Sequence, residues 1–150
     1  MTTSIMAFLH RVFAFMLVAC LIYEFIAFRK GMSIEEARRI QRVDLVFGIS
    51  AGLLLVAGLL RVFLFEKGVN FYLNSPFFWV KMTAFVIVGL LSIDPTIRYI
   101  RWNKFLSENK APEISDSEDK RTRLILWLEV IGIVVILLAA PMMARGVGMN

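Results

Sequence analysis

Four stretches of the chain, residues 4–28, 43–65, 76–93 and 124–144, are apolar over about the length that a helix needs to cross a bilayer. A helix rises about 1.5 Å per residue, so about 20 residues cover the roughly 30 Å of hydrocarbon. Lipid offers no partner to backbone N–H and C=O groups, and a helix satisfies them within the segment. The expected fold is therefore all-α: an integral membrane four-helix bundle forming a single transmembrane domain. Composition agrees, since 59% of the 150 residues are hydrophobic, against about 45–50% in soluble domains. So short a chain has no room for a sizeable separate soluble domain beside four spans.

Charge sets the orientation. The segment between the first two spans carries Arg29, Lys30, Arg38, Arg39 and Arg42. The segment between the last two carries Arg98, Arg101, Lys104, Lys110, Lys120, Arg121 and Arg123. By contrast, residues 66–75 hold only Lys67, and the two ends of the chain are nearly free of lysine and arginine. Basic loops stay on the cytoplasmic side, which places both termini outside in a bacterial inner membrane. The net charge of +5 is read as this bias, so the lipid bilayer and no nucleic acid is the expected partner.

Local signals refine the picture. Ser33 followed by Glu36 matches a capping box, which starts the second helix at Ile34 and extends it into the cytoplasm. Asp94-Pro95 either ends the third span and caps a new helix or kinks one continuous helix. On the first reading TIRYIRWNKFL (96–106) is a short amphipathic helix at the inner surface, and residues 107–121, polar and containing Pro112, form a mobile cytoplasmic loop. Cys20 stands alone, so no internal disulfide can form. LVAC (17–20) has the look of a lipoprotein processing site, but the apolar run continues to Phe28, as an uncleaved first helix requires. Gly48 and Gly52 form a small-residue stripe suited to close helix approach. Trp79, Tyr72 and Phe77 suit an outer aromatic belt, and Trp102 and Trp127 an inner one.

Ionisable residues inside the spans sort by depth. His10 lies roughly 9 Å, and Lys81 roughly 8 Å, below the outer starts of their spans. Arg11, Arg61 and Arg145 sit near the same side, where snorkelling to the interface is their simplest role. Toward the inner side lie Glu24, Asp44, Asp94 and Glu129; the two aspartates fall at the inner boundary, where capping or pairing with loop arginines accounts for them. Glu24 follows His10 by fourteen residues, about 40° apart around a helix, so both can face the bundle interior. Intramembrane charge is costly and by default marks function. Neutral imidazole is a common iron ligand, and a desolvated lysine can lose its proton and become one. His10 and Lys81 are thus candidate ligands of a haem, with Arg11 and Arg61 placed to meet its propionates. No second histidine is present for a bis-histidine site within one chain.

FLHR (8–11), AGLLRVF (57–63) with EKG (66–68), FYLNSPFFWVKM (71–82) and GLLSIDPTIR (89–98) together resemble a family of uncharacterised bacterial inner-membrane proteins, known as a domain of unknown function. That resemblance covers nearly the whole chain and implies no activity. His10 and the WVK of 79–81 are also similar to positions in the HemJ type of protoporphyrinogen oxidase, a four-span protein in which a histidine and a lysine are thought to hold haem. The further histidines and the tryptophan-rich start of that family are missing, so the likeness extends to His10 and Lys81 as haem b ligands only. Two other functions fit the same residues. Glu24, Glu129 and Lys81 could form the ion or proton path of a small transporter or channel subunit, acting as a homo-oligomer, or buried charges could simply pair helices in a structural assembly factor.

Overall fold

A computed structural model describes residues 2–65 and 68–149, which are helical throughout apart from short connections and contain no strand. Helix α1 is Thr2–Ala27, α2 Ile34–Leu60, α3 Val69–Leu73, α4 Pro76–Arg101, α5 Asn103–Ser107 and α6 Asp116–Ala144. A π-helical turn, Arg61–Phe65, continues α2. Glu66 and Lys67, including the one lysine of the 66–75 connection, lie outside the described residues. Four of the helices are long and apolar enough to cross a membrane.

The caps explain where two helices begin. At α2 the Ser33 hydroxyl accepts the Glu36 backbone N–H at 3.2 Å, while the Ser33 N–H donates to the Glu36 carboxyl at 2.8 Å. The start of α6 repeats the device with Ser115 and Glu118, each bond being 3.2 Å. Acidic residues fill both first turns, where they complement the helix dipole. Gly31, at φ +72°, makes the turn out of α1 toward this cap.

Of the two readings of Asp94-Pro95 the continuous helix holds, since α4 runs through Pro95 to Arg101, and two other sequence expectations change. A buried proline inside a membrane helix is tolerated because neighbouring groups take up the freed backbone positions. The expected amphipathic helix 96–106 is therefore the last turns of α4 plus the short α5. Residues 116–121, expected in the mobile loop, are the first turns of α6, and Pro112 in the remaining connection is buried.

The helices make two antiparallel hairpins, α1 against α2 and α4 against α6. These meet chiefly through α1–α6 and α2–α4, giving a ring in which α1 stands diagonally opposite α4. Leu17, Leu21, Phe47, Val88, Leu126 and Ile133 fill its middle. Phe15, Ile26, Leu45, Leu90 and Leu138 face outward, as helices immersed in hydrocarbon require. At the end holding the basic connections, here the basic end, Trp102 stacks on Phe28 with ring centroids 6.4 Å apart and meets Tyr99 at 4.8 Å. Trp102 is thus buried packing and not part of an interfacial belt. Trp79 and Trp127 remain exposed, as a belt demands.

Close helix approach occurs at an unexpected glycine. A Cβ at Gly48 or Gly52 would meet nothing within 4 Å, so that stripe faces outward. A Cβ at Gly132 would lie 2.4 Å from Val88 Cγ2, where α4 and α6 touch. We expect Gly132→Ala to lower stability by about 1–3 kcal/mol through overpacking, because a β-branched valine has little freedom to yield. Thermal melting in detergent measures it: Val88→Ala should restore much of the loss, and Gly48→Ala should change little.

Candidate functional site

At the opposite end, which carries the chain termini, a half-open cavity of about 240 Å³ enters the bundle. Its walls are apolar, including Leu54, Phe85 and Ile136, but its polar lining gathers residues from several elements. His10 and the largely exposed Arg11 come from α1, Arg61 from the π-helical turn, Tyr72 from α3 and Lys81 from α4, while α6 adds only apolar side chains. The four residues proposed from sequence to hold a cofactor therefore line one cavity. Arg145 does not line it and is exposed.

Local backbone features make this arrangement possible. Gly58 lies under the His10 ring, where an added Cβ would sit 3.4 Å from Cε1 and 3.7 Å from Nδ1. A methyl at Gly58 would make ordinary contact with the imidazole, whereas a longer side chain would meet the ring between α1 and α2. Beyond Gly58 the π-helical turn carries one residue more per turn than an α-helix would, and such turns often occur at functional sites. Arg61, its first residue, lines the cavity. Tyr72, expected in an aromatic belt, is buried in the same lining, held between Phe71 at 5.5 Å and Phe78 at 5.9 Å. Trp79 Nε1 donates to the Leu73 carbonyl at 3.0 Å, tying the start of α4 to α3 just above Lys81.

Chemically the cavity offers an imidazole, an amine, two guanidinium groups and a phenol against apolar walls. That set suits an amphipathic guest with anionic or metal-bearing polar parts and an apolar body. The volume falls below the roughly 300–1,000 Å³ typical of small-molecule pockets, so a larger guest would extend through the open side.

A second polar group lies nearer the basic end. Glu24 of α1 is 3% exposed, Asp44 of α2 8%, Glu129 of α6 2%, and Tyr99 of α4 and Thr122 of α6 1% each. Glu24 faces Asp44, Glu129 and Tyr99. Asp44 does not cap a helix at the boundary, as expected, but accepts a hydrogen bond from Thr96 Oγ1 at 2.8 Å inside the bundle. Asp94 does pair with arginines, with Arg98 at 2.8 Å and Arg121 at 2.7 Å. The sequence marked Glu24 and Glu129 but missed Tyr99, Thr96 and Thr122. The spacing Thr122, Leu126, Glu129 at i, i+4 and i+7 was the available signal for one of them. Tyr99 and Thr96 were hidden by ending the third span at Asp94.

Four long apolar helices arranged in a ring, with ionisable side chains turned into its axis at both ends, define a multi-pass membrane protein embedded in a lipid bilayer. The chain belongs to the family described as a predicted membrane protein (DUF2214), whose family model matches residues 2–148. No curated protein and no solved structure matches it.

His10 is the only histidine, so its chemical modification reports the cavity directly. We expect Gly58→Leu to displace the imidazole and raise the rate of its modification by diethyl pyrocarbonate severalfold. Gly58→Ala, whose Cβ would make an ordinary contact, should leave that rate close to wild type. Equal rates in all three proteins would show that Gly58 does not seat the ring.

Proposed function

We propose that this protein binds haem b in the cavity at its terminal end and serves a redox-related function in the bacterial inner membrane, with its basic end in the cytoplasm. One observation carries the reading: His10 and Lys81, on diagonally opposed helices, line a single cavity together with Arg11 and Arg61. A four-helix bundle is a common setting for a cofactor held by side chains on facing helices. Using lysine as the second ligand meets the lack of a second histidine without requiring a second copy of the chain.

The residues fit the group by donor type. His10 offers a neutral imidazole nitrogen, and Lys81 an amine that ligates only when deprotonated. Arg11 and Arg61 offer planar donor pairs matched to carboxylates, which a lysine would match less well. The apolar walls would suit the apolar body of a macrocycle. Bound haem would supply one-electron chemistry; the chain's own part is to hold it, orient it and neutralise its propionates.

The test is an absorption spectrum of protein purified in detergent and titrated with haem. A saturable Soret band is expected at one haem per chain, weakened or shifted in both His10→Ala and Lys81→Ala, with helical content by circular dichroism unchanged. Arg61→Gln should weaken binding while leaving the band position in place. Because a proton and iron compete for the Lys81 amine, the lysine-ligated spectrum should be lost as pH falls. Absence of a saturable band, or identical bands in both ligand variants, overturns the reading.

A further inference from the structure

The polar group near the basic end is not used by the cavity, and it has a property that helix pairing does not explain. Three carboxyl groups from three helices converge beside one tyrosine, and the charged groups facing Glu24 are Asp44 and Glu129, both acidic. The Tyr99 hydroxyl contacts Glu24 and lies within electrostatic reach of Asp44 and Glu129, and Cys20 is one turn before Glu24 on α1. The nearby arginines are engaged elsewhere: Arg98 with Asp94 and Glu118, Arg121 with Asp94.

Apart from an interaction between the Tyr99 hydroxyl and Glu24, the buried atoms Glu24 Oε1, Glu129 Oε1 and Tyr99 Oη make no hydrogen bond of ordinary geometry among the described residues, and Thr122 Oγ1, seven residues before Glu129 on α6, is likewise unpartnered. Leaving one such atom unsatisfied costs about 1–3 kcal/mol, so several of them on neighbouring helices point to a shared guest. Two are hydroxyls able to donate and two are carboxyl oxygens able to accept, a combination that water can bridge. No three carboxyl, imidazole or thiol groups among the described residues stand close enough to hold a metal ion. Like charges enclosed together in a medium of low dielectric cannot all persist, since their repulsion is strong there. A proton bound among the carboxyls removes that repulsion and supplies the missing donor.

We propose that Glu24, Asp44 and Glu129, with Tyr99 and Thr122, form a proton-binding site loaded from the basic face of the membrane. Access is from the side of Asp44, the most exposed of the three carboxyls at 8%, to which Thr96 of α4 donates. In the other direction buried Leu17, Leu21, Val88 and Ile133 separate the site from the terminal-end cavity. The site is therefore one-sided: protons enter and leave from the basic face, and no polar path continues across. Its step is a plain transfer, in which a proton from water binds a carboxylate oxygen and returns to water.

Infrared spectroscopy of the cofactor-free protein in lipid tests this independently of haem. Wild type at neutral pH should show the carbonyl stretch of a protonated, buried carboxylic acid, and its intensity should fall as pH rises. The band should shrink or disappear in Glu24→Gln or in Glu129→Gln, vanish in the double variant, and shift in frequency in Tyr99→Phe, which removes only the hydroxyl. Glutamine preserves shape, and thermal melting confirms that each variant remains folded. A neutral wild type without the band overturns the proposal, as does a band unchanged in the double variant. Proteoliposomes test the one-sidedness: a proton leak no greater than that of empty vesicles is expected. Conduction abolished by Glu129→Gln would instead make the site part of a through path and overturn its one-sided character.

Discussion

An apolar side chain gains little by leaving lipid for another helix, since both are hydrocarbon, so burial of apolar area cannot by itself decide how these helices associate. The arrangement rests on what lipid cannot offer: close contact between backbones and satisfaction of polar groups. Gly132 lets Val88 approach α6, while Gly58 leaves room for His10 against α2 in ordinary contact. At the basic end hydrogen bonds from Gln41 and Arg38 reach backbone carbonyls of Tyr99 and Leu106, locking the first hairpin to the second. Lys30 and Asp116 pair across the same boundary. That pair is exposed and adds little energy, so the partly buried Gln41 bond and the stack of Phe28 on Trp102 are the stronger ties.

The polar interior is consequently divided. Cationic and imidazole groups line the terminal end, carboxyls the basic end, and a plug of leucine, valine and isoleucine lies between them. Each polar group draws on α1 and α4 with further contributions from other elements, so neither can form until the two hairpins have docked. Residues that shape one end are thereby coupled to the other through a shared docking event, without any direct contact between them.

Much of this was legible from particular residues. The apolar runs located the four spans, and Ser33 with Glu36 located the start of α2, because capping is a local interaction between residues three apart. Equal depth along straight helices placed His10 level with Lys81, and both line one cavity. The errors arose where a local signal has two outcomes. Asp94-Pro95 is a good helix start in water, but within a bundle the neighbours accommodate the proline and α4 continues. That single boundary concealed Tyr99 and Thr96 and left Asp44 misread as a cap.

By itself the sequence determined the all-helical class, the number of membrane-crossing helices and the depth of each ionisable residue, since all three follow from hydropathy and a fixed helical rise. Only the tertiary structure decided which faces meet: that Gly132 and not the Gly48–Gly52 stripe is a contact, that Tyr72 lines a cavity, and that three carboxyls converge on one tyrosine. The physical reason is rotational. Depth is a property of one helix, but the direction in which a side chain points gains meaning only against its neighbours, and in a helix apolar on nearly every side no pattern in the chain marks the face that will be covered.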